Sequence, residues 1–194
     1  MAAVPRRSWV RTAFISVAIA ALAGCGHSGN PAATSATTTK PRASWSRPAA
    51  PPDPQTLLHA GAAAVAAVPN STLTFVRSEQ SGTWKVLVVT PDGTEQAMDV
   101  SSDGVTVMVG PTRKNESDAD KTQNRARVQA ARLDYRAAVD RILAAVRDAS
   151  ITELNLGDSN GTTVWDADVW DYYIVEHKVT IDAASGELIA NKQV

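Results

Sequence analysis

The 194-residue chain has one cysteine, Cys25. It therefore cannot form an internal disulfide, which excludes a disulfide-stapled fold. The chain also lacks an excess of charge, with 19 basic and 20 acidic residues. Proteins that bind nucleic acid need a basic surface for the phosphates, so this balance gives no reason to expect a nucleic-acid partner.

The sequence is also poor in motifs that carry chemistry. Its three histidines, His27, His59 and His177, are far apart in the chain, and no two have the spacing of metal ligands. It contains no GxSxG stretch and no glycine-rich phosphate-binding loop. We therefore predict no metal, no small-molecule cofactor and no enzymatic activity.

Charge is distributed unevenly at the amino terminus. Arg6, Arg7 and Arg11 precede an uncharged run from Thr12 to Gly24. A basic start followed by a short apolar run is typical of a secretory signal peptide. The run is shorter than the roughly 18 to 20 residues that span a bilayer, so a permanent membrane helix is the weaker alternative.

The stretch that follows, Leu22-Ala23-Gly24-Cys25, resembles the lipobox of bacterial lipoproteins. The resemblance implies that residues 1–24 are cleaved as a signal peptide and that Cys25 receives a diacylglycerol and an N-acyl chain. Each buried methylene contributes about 0.8 kcal/mol, so two or three acyl chains hold firmly. We therefore expect membrane lipid as a partner and an anchored position on the extracytoplasmic face of the cell membrane. An inert thiol and a catalytic nucleophile served by His27 are the alternatives.

Residues 25–54 are rich in Pro, Ala, Thr and Ser and carry few large apolar side chains. Such a composition cannot bury enough surface to offset the entropy of ordering the chain. We expect a disordered tether between the anchor and a folded body.

The remaining sequence shows one order of elements twice. Asp53-Pro54 begins an alanine-rich helix, because Asp suits the cap and Pro the first helical position. Four short β-branched segments follow it, and a second helix over Leu133–Val146 is again followed by four strands.

With a shift of 78 to 82 residues, the two halves align, so that Trp84 falls on Trp165 and Gly104 on Gly186. We predict an internal duplication of α+β class, with one helix and a small antiparallel sheet of about four strands in each repeat. The predicted units are residues 55–112 and 131–194, joined by a polar linker or helix extension over 113–130.

The repeated segments resemble the PepSY domains of secreted and membrane-bound bacterial proteins and peptidase propeptides. The second copy carries "SITELNL" (150–156) and "VTIDAASGELI" (179–189), and the first carries the looser "STLTFVR" (71–77) and "MDVSSDGVTV" (98–107). The resemblance implies an α+β fold and a regulatory or inhibitory contact with a peptidase or another envelope protein. The layout is also loosely similar to the tandem repeats of secreted β-lactamase inhibitory proteins, whose paired sheets form a concave binding face.

The segment "VTIDAASGELIA" contains two acids, Asp182 and Glu187, around a flexible centre. Ser101 occupies the place of Asp182 in the first copy, whereas the turn glycine is present in both. We therefore predict that this stretch shapes a bend and carries no chemistry.

The second unit holds a local surplus of aromatic residues. Strand alternation places Trp165 in the core, puts Trp170 on the side of two aspartates, and turns one of the following tyrosines outward. Exposed Trp and Tyr beside acids are typical of binding hot spots, although they could also merely cover a turn. The predicted partner-binding residues are Trp170, Tyr172, Tyr173, Asp166 and Asp168.

Two further functions remain open. Asp166 and Asp168 share a strand face and could bind a cation or act as an acid–base pair in an envelope hydrolase. That activity would need a pocket that also holds His177, which alternation places on the other side of the sheet. A passive envelope spacer is the third alternative, favoured if the aromatic residues are buried. The leading hypothesis is a lipid-anchored extracytoplasmic protein that acts by binding.

Overall fold

A computed structural model describes residues 53–194 of the chain. The predicted signal peptide, the predicted lipid anchor at Cys25 and the tether up to residue 52 lie outside the described residues. The elements in chain order are α1 (Pro54–Ala67), β1 (Thr72–Ser78), β2 (Trp84–Val89), β3 (Glu95–Val100), β4 (Val107–Arg113), α2 (Asp118–Ala130), α3 (Tyr135–Ala145), β5 (Ser150–Ser159), β6 (Thr162–Trp170), β7 (Glu176–Asp182) and β8 (Leu188–Gln193).

Both predicted helices start at an aspartate. The Asp53 side chain accepts a hydrogen bond from the Gln55 N–H, and Pro54 occupies the first helical turn. The Asp134 side chain accepts one from the Ala137 N–H, so α3 begins at Tyr135, two residues later than predicted. In each case the carboxylate satisfies an N–H that has no partner within the helix.

The strands form one antiparallel sheet in the order β4-β3-β2-β1-β5-β6-β7-β8. The α+β class is therefore confirmed, and the eight strands share a single sheet. The order is symmetric about the central β1–β5 pair, in which Val76 lies opposite Leu154. Because both halves contribute their first strand to this pair, the two groups of four strands are joined edge to edge.

The two faces of the sheet differ in what covers them. The core row Met98, Val86, Val76, Leu154, Ala167 and Val179 runs across six strands, each residue opposite the next. Helices α1 and α3 pack on this face, and Trp84 and Trp165 are buried beneath them. The pairing follows the strand alternation expected of half-buried strands, so the residues between core positions point to the opposite, outer face.

The segment predicted to be a polar linker or helix extension contains a separate helix, α2. Ser117 and Asp120 form a reciprocal capping box at its start. The Asn124 side chain donates to the Gly93 carbonyl at 3.1 Å, and Arg125 donates to the Asp92 carbonyl at 2.7 Å. These bonds hold α2 across the turn between β2 and β3.

One predicted strand is shorter than the sequence indicates. The run "YYIVEHKVTID" (172–182) is rich in β-favouring residues and predicts a single strand, but β7 begins at Glu176. The Asp171 carboxylate accepts a hydrogen bond from the Val175 N–H at 2.8 Å, and the Ile174 N–H bonds the Asp171 carbonyl at 2.9 Å. These local bonds favour a turn over residues 171–175 despite its β-favouring composition.

The "VTIDAASGELIA" segment forms the β7–β8 turn. The Asp182 carboxylate accepts from the N–H groups of Ala184 and Ser185 at 2.9 and 2.7 Å, and these bonds hold its pKa below the usual value. Gly186 adopts a φ of +75° at the bend. Asp182 therefore shapes the turn, as the sequence predicts.

Candidate functional site

The outer face of the sheet carries a row of charged side chains that crosses seven strands. We call it the charged row. Each member lies opposite the next in the strand register, in the order Asp99, Lys85, Arg77, Glu153, Asp168, Lys178 and Lys192. Because directly opposed residues project to the same side, these charges form one band on the face away from α1 and α3.

Ion pairs fix much of this band. Lys178 Nζ lies 2.7 Å from an oxygen of Asp168, and Arg77 lies 3.8 Å from Glu153. Arg77 also pairs with Glu79 at 2.9 Å and lies over the Phe75 ring. Exposed pairs add little stability, so their main effect here is to hold the long side chains in place.

Glu153 is the member of the row with the least favourable surroundings. Partial burial raises the pKa of its carboxyl, and the neighbouring Asp168 charge raises it further, while Arg77 and Lys178 oppose the shift. The hydrogen bond to Asp168 conversely raises the pKa of Lys178. Two adjacent acids between two bases thus give the centre of the face alternating charge.

A shallow depression of about 200 Å³ lies at this centre. Asp166 borders it and accepts a hydrogen bond from the Thr180 hydroxyl at 2.6 Å. Its polar lining comes from Glu153, Asn155, Asp166, Asp168, Lys178 and Thr180. The depression is open and polar, which suits contact with a protein surface better than enclosure of an apolar ligand.

The structure separates the predicted binding residues into two groups. Asp166, Asp168 and Trp170 alternate along β6 on the outer face, and all three are half-buried. Tyr172 and Tyr173 lie off this face in the β6–β7 turn, where they are 76% and 80% exposed. Both tyrosines project into solvent, so the outward tyrosine that was predicted is present, but the pair lies in a turn and the strand alternation behind that prediction is absent there.

The two tyrosines contact each other. Their ring centroids are 5.5 Å apart in an edge-to-face arrangement. Burial of the aromatic residues would have favoured a passive spacer, and these two rings do not meet that condition.

His177 lies on the core face, as predicted, and is 8% exposed. Its Nδ1 is 3.1 Å from Asn191 Oδ1, and its Nε2 is 3.3 Å from Asp171 Oδ2. It is therefore on the opposite side of the sheet from Asp166 and Asp168. The pocket required by the hydrolase alternative is not assembled, and within residues 53–194 no three His, Cys, Asp or Glu side chains are grouped to hold a metal.

Sequence reasoning missed Arg77, Glu153 and Asn155 as members of the outer face. Alternation along "SITELNL" does place Glu153 and Asn155 on one side. Their meeting with Arg77 depends on the β1–β5 pairing, which joins residues 76 positions apart in the chain.

No family model matches this chain, and no curated protein matches it. Among solved structures, a presumed lipoprotein from Clostridium difficile 630 is 12% identical, with a TM-score of 0.44. The match covers 67% of this chain and 87% of that one. A likeness at this level indicates neither a shared fold nor a shared function.

The helices in the described part of the chain are too short or too polar to cross a membrane.

Proposed function

We propose that this is a lipid-anchored extracytoplasmic protein that regulates or inhibits a peptidase or another envelope protein through the outer face of its sheet. The basic start, the uncharged run and Leu22-Ala23-Gly24-Cys25 support the anchor. The anchor would keep the folded body at the extracytoplasmic surface, where such partners are found.

We also propose that the folded body arose by duplication of a PepSY-like unit. The strand order supports it, because Val76 and Leu154 are 78 positions apart and lie opposite each other. A shift of 78 also aligns the ends of the two helices in the sequence. Equivalent strands of two copies would meet in this way around a local two-fold axis.

The observation that carries the binding function is the outer face itself. α1 and α3 pack on the core face, while the charged row and Trp170 lie on the other. Opposed charges held in place by ion pairs give specificity and orientation in a protein contact. Trp170 at the edge of the row supplies the aromatic surface that binding hot spots favour.

A site-specific photocrosslinker tests this surface in the cell envelope. Placed at Trp170 of the full chain, it should yield a discrete adduct, and Asp168→Lys in the same chain should weaken the adduct by reversing one charge of the row. The matched control is Ala66, exposed on α1. Equal adducts from both positions, or an adduct at position 170 that Asp168→Lys leaves unchanged, would count against the outer face.

The anchor has its own test. Mass spectrometry of the mature protein should find Cys25 as the first residue, with a diacylglycerol on sulfur and an acyl chain on nitrogen. A mature chain that starts elsewhere, or an unmodified thiol, would refute the lipoprotein proposal.

A further inference from the structure

One end of the sheet gathers most of the exposed apolar side chains. At this end Val100 lies opposite Trp84 and Val107, and Trp170 lies opposite Ser150 and Glu176. We call it the apolar end; it comprises the β3–β4 turn, the start of β4, the β6–β7 turn and the carboxyl end of β8. Of the eight exposed large hydrophobic side chains in the described residues, six lie here: Val105, Met108, Val109, Tyr172, Tyr173 and Val194.

The chain also enters the body at this end. Gly104 of the β3–β4 turn packs against the Thr56 carbonyl and the His59 side chain, so the first turns of α1 lie beside it. Asp53, the cap of α1, is 28 residues after Cys25. A chain of that length spans at most about 100 Å, so an anchored body stays close to the bilayer whatever path the segment takes.

The other end of the sheet carries α2 and two ion pairs. There α2 crosses the β2–β3 turn, Lys114 pairs with Glu95 at 2.6 Å, and Arg127 pairs with Asp158 at 3.0 Å. The two ends of one sheet therefore differ in the surface that they offer to lipid.

We propose that the apolar end rests on the lipid bilayer, with Tyr172, Tyr173 and Val105 in the interfacial layer. This inference depends on the proposed anchor at Cys25. Tyrosine suits the interface because its ring is apolar and its hydroxyl can remain hydrated. Tethering raises the local concentration of bilayer around the body, so a few exposed side chains suffice for contact.

The contact is apolar and does not depend on anionic lipid. Asp103 accepts from the Ser101 hydroxyl and the Val105 N–H, and Asp171 accepts from the Val175 N–H. These two acids are thus engaged within their own turns, and the other charged residues near them, Glu79, Arg147 and Asp148, give no excess of positive charge that would attract anionic lipid. Binding should persist in high salt, where exposed charges are screened. The charged row lies one to three residues in from this end along the strands, so a partner would bind it next to the bilayer.

Fluorescence quenching can measure which end meets lipid. The lipidated full chain is placed in phosphatidylcholine vesicles with brominated acyl chains, and a fluorophore is attached to Tyr173→Cys or Asn160→Cys. Asn160 is the matched control, because it lies in an exposed turn at the opposite end. The thioether at Cys25 leaves the introduced cysteine as the free thiol. We expect several-fold stronger quenching at position 173, unchanged in high salt.

A second variant guards against an effect of the label. With the fluorophore at Val105→Cys, replacing Tyr172 and Tyr173 by Ser should reduce quenching severalfold without changing the melting temperature, since both rings are exposed. Equal quenching at positions 173 and 160 of a lipidated chain overturns the proposal. A chain whose Cys25 itself takes up the label has no anchor, and then the lipoprotein proposal fails as well.

Discussion

The β2–β3 turn and the β6–β7 turn have the same backbone and opposite surroundings. Thr90 N–H bonds the Thr94 carbonyl at 3.0 Å, and Asp171 N–H bonds the Val175 carbonyl at 3.0 Å. A second bond closes each turn, from Gly93 to Thr90 at 2.8 Å and from Ile174 to Asp171 at 2.9 Å. The closing residue is left-handed in both, with φ of +88° at Gly93 and +60° at Ile174.

The difference between the turns lies in what covers them. At Gly93 the Lys121 carbonyl of α2 occupies the space that a β-carbon would need. Ile174 bears a branched side chain at the matching position, and the adjacent tyrosines are exposed. The first turn therefore supports α2, whereas the second exposes its side chains to solvent. Turns with the same hydrogen bonds can therefore either carry a helix or expose their side chains.

The largest effect should come from Gly93→Ala. The new β-carbon meets the α2 backbone and also imposes the cost of a left-handed alanine, so we expect a loss of about 3 kcal/mol in the free energy of unfolding. Denaturant unfolding measures it. Gly161→Ala is the control, because Gly161 has a φ of +81° and nothing within 4 Å, and it should cost only about 1 kcal/mol. Equal losses would show that α2 does not constrain the first turn.

Ile174→Asn should have a smaller effect of opposite sign. A left-handed β-branched residue is strained by about 1 to 2 kcal/mol, and asparagine tolerates this conformation. We expect the free energy of unfolding to rise by about 0.5 kcal/mol, part of the relief being offset by lost apolar contact. A decrease in the same unfolding measurement would mean that packing of Ile174 outweighs the strain.

Acid should weaken both turns slightly. Hydrogen bonds from the side chains of Thr90 and Thr94 lower the pKa of Asp92 to about 2. The Val175 N–H likewise holds the pKa of Asp171 below its usual value. A carboxyl with a lowered folded-state pKa stabilises the fold above its unfolded pKa of about 3.9, and this contribution is lost as the pH falls through the folded value. Solvent screens both carboxylates, so acid should change the free energy of unfolding less than Gly93→Ala or Ile174→Asn does.

Unfolding measured between about pH 5 and pH 2 checks this effect. Asp92→Asn and Asp171→Asn should each flatten the decline, and Asp92→Asn should remove the part at lowest pH. An unchanged profile in both variants would mean that these bonds do not stabilise the turns.

Features that depend on near neighbours in the chain were predictable from the sequence, whereas features that depend on local side-chain bonds or distant contacts were not. Asp53-Pro54, the β-branched segments and the face of His177 were predictable because each depends on neighbours within a few residues. The composition of residues 172–175 favours a strand that would include the tyrosines, and the Asp171 side chain reverses that preference locally. α2 was not expected to be a separate helix, because its stability depends on contact with a turn about 30 residues earlier in the chain.

The sequence by itself determined the start of α1, the alternation of the strands, the turn glycines and the signal-like segment that ends at Cys25. Each of these follows from local sterics, hydrogen bonding or periodicity. Only the tertiary structure decided that β1 and β5 join all eight strands into one sheet, that Arg77 meets Glu153, and that the tyrosines share one end with the start of α1. These are contacts between residues far apart in the chain, and they depend on strand order and register, which no local pattern encodes.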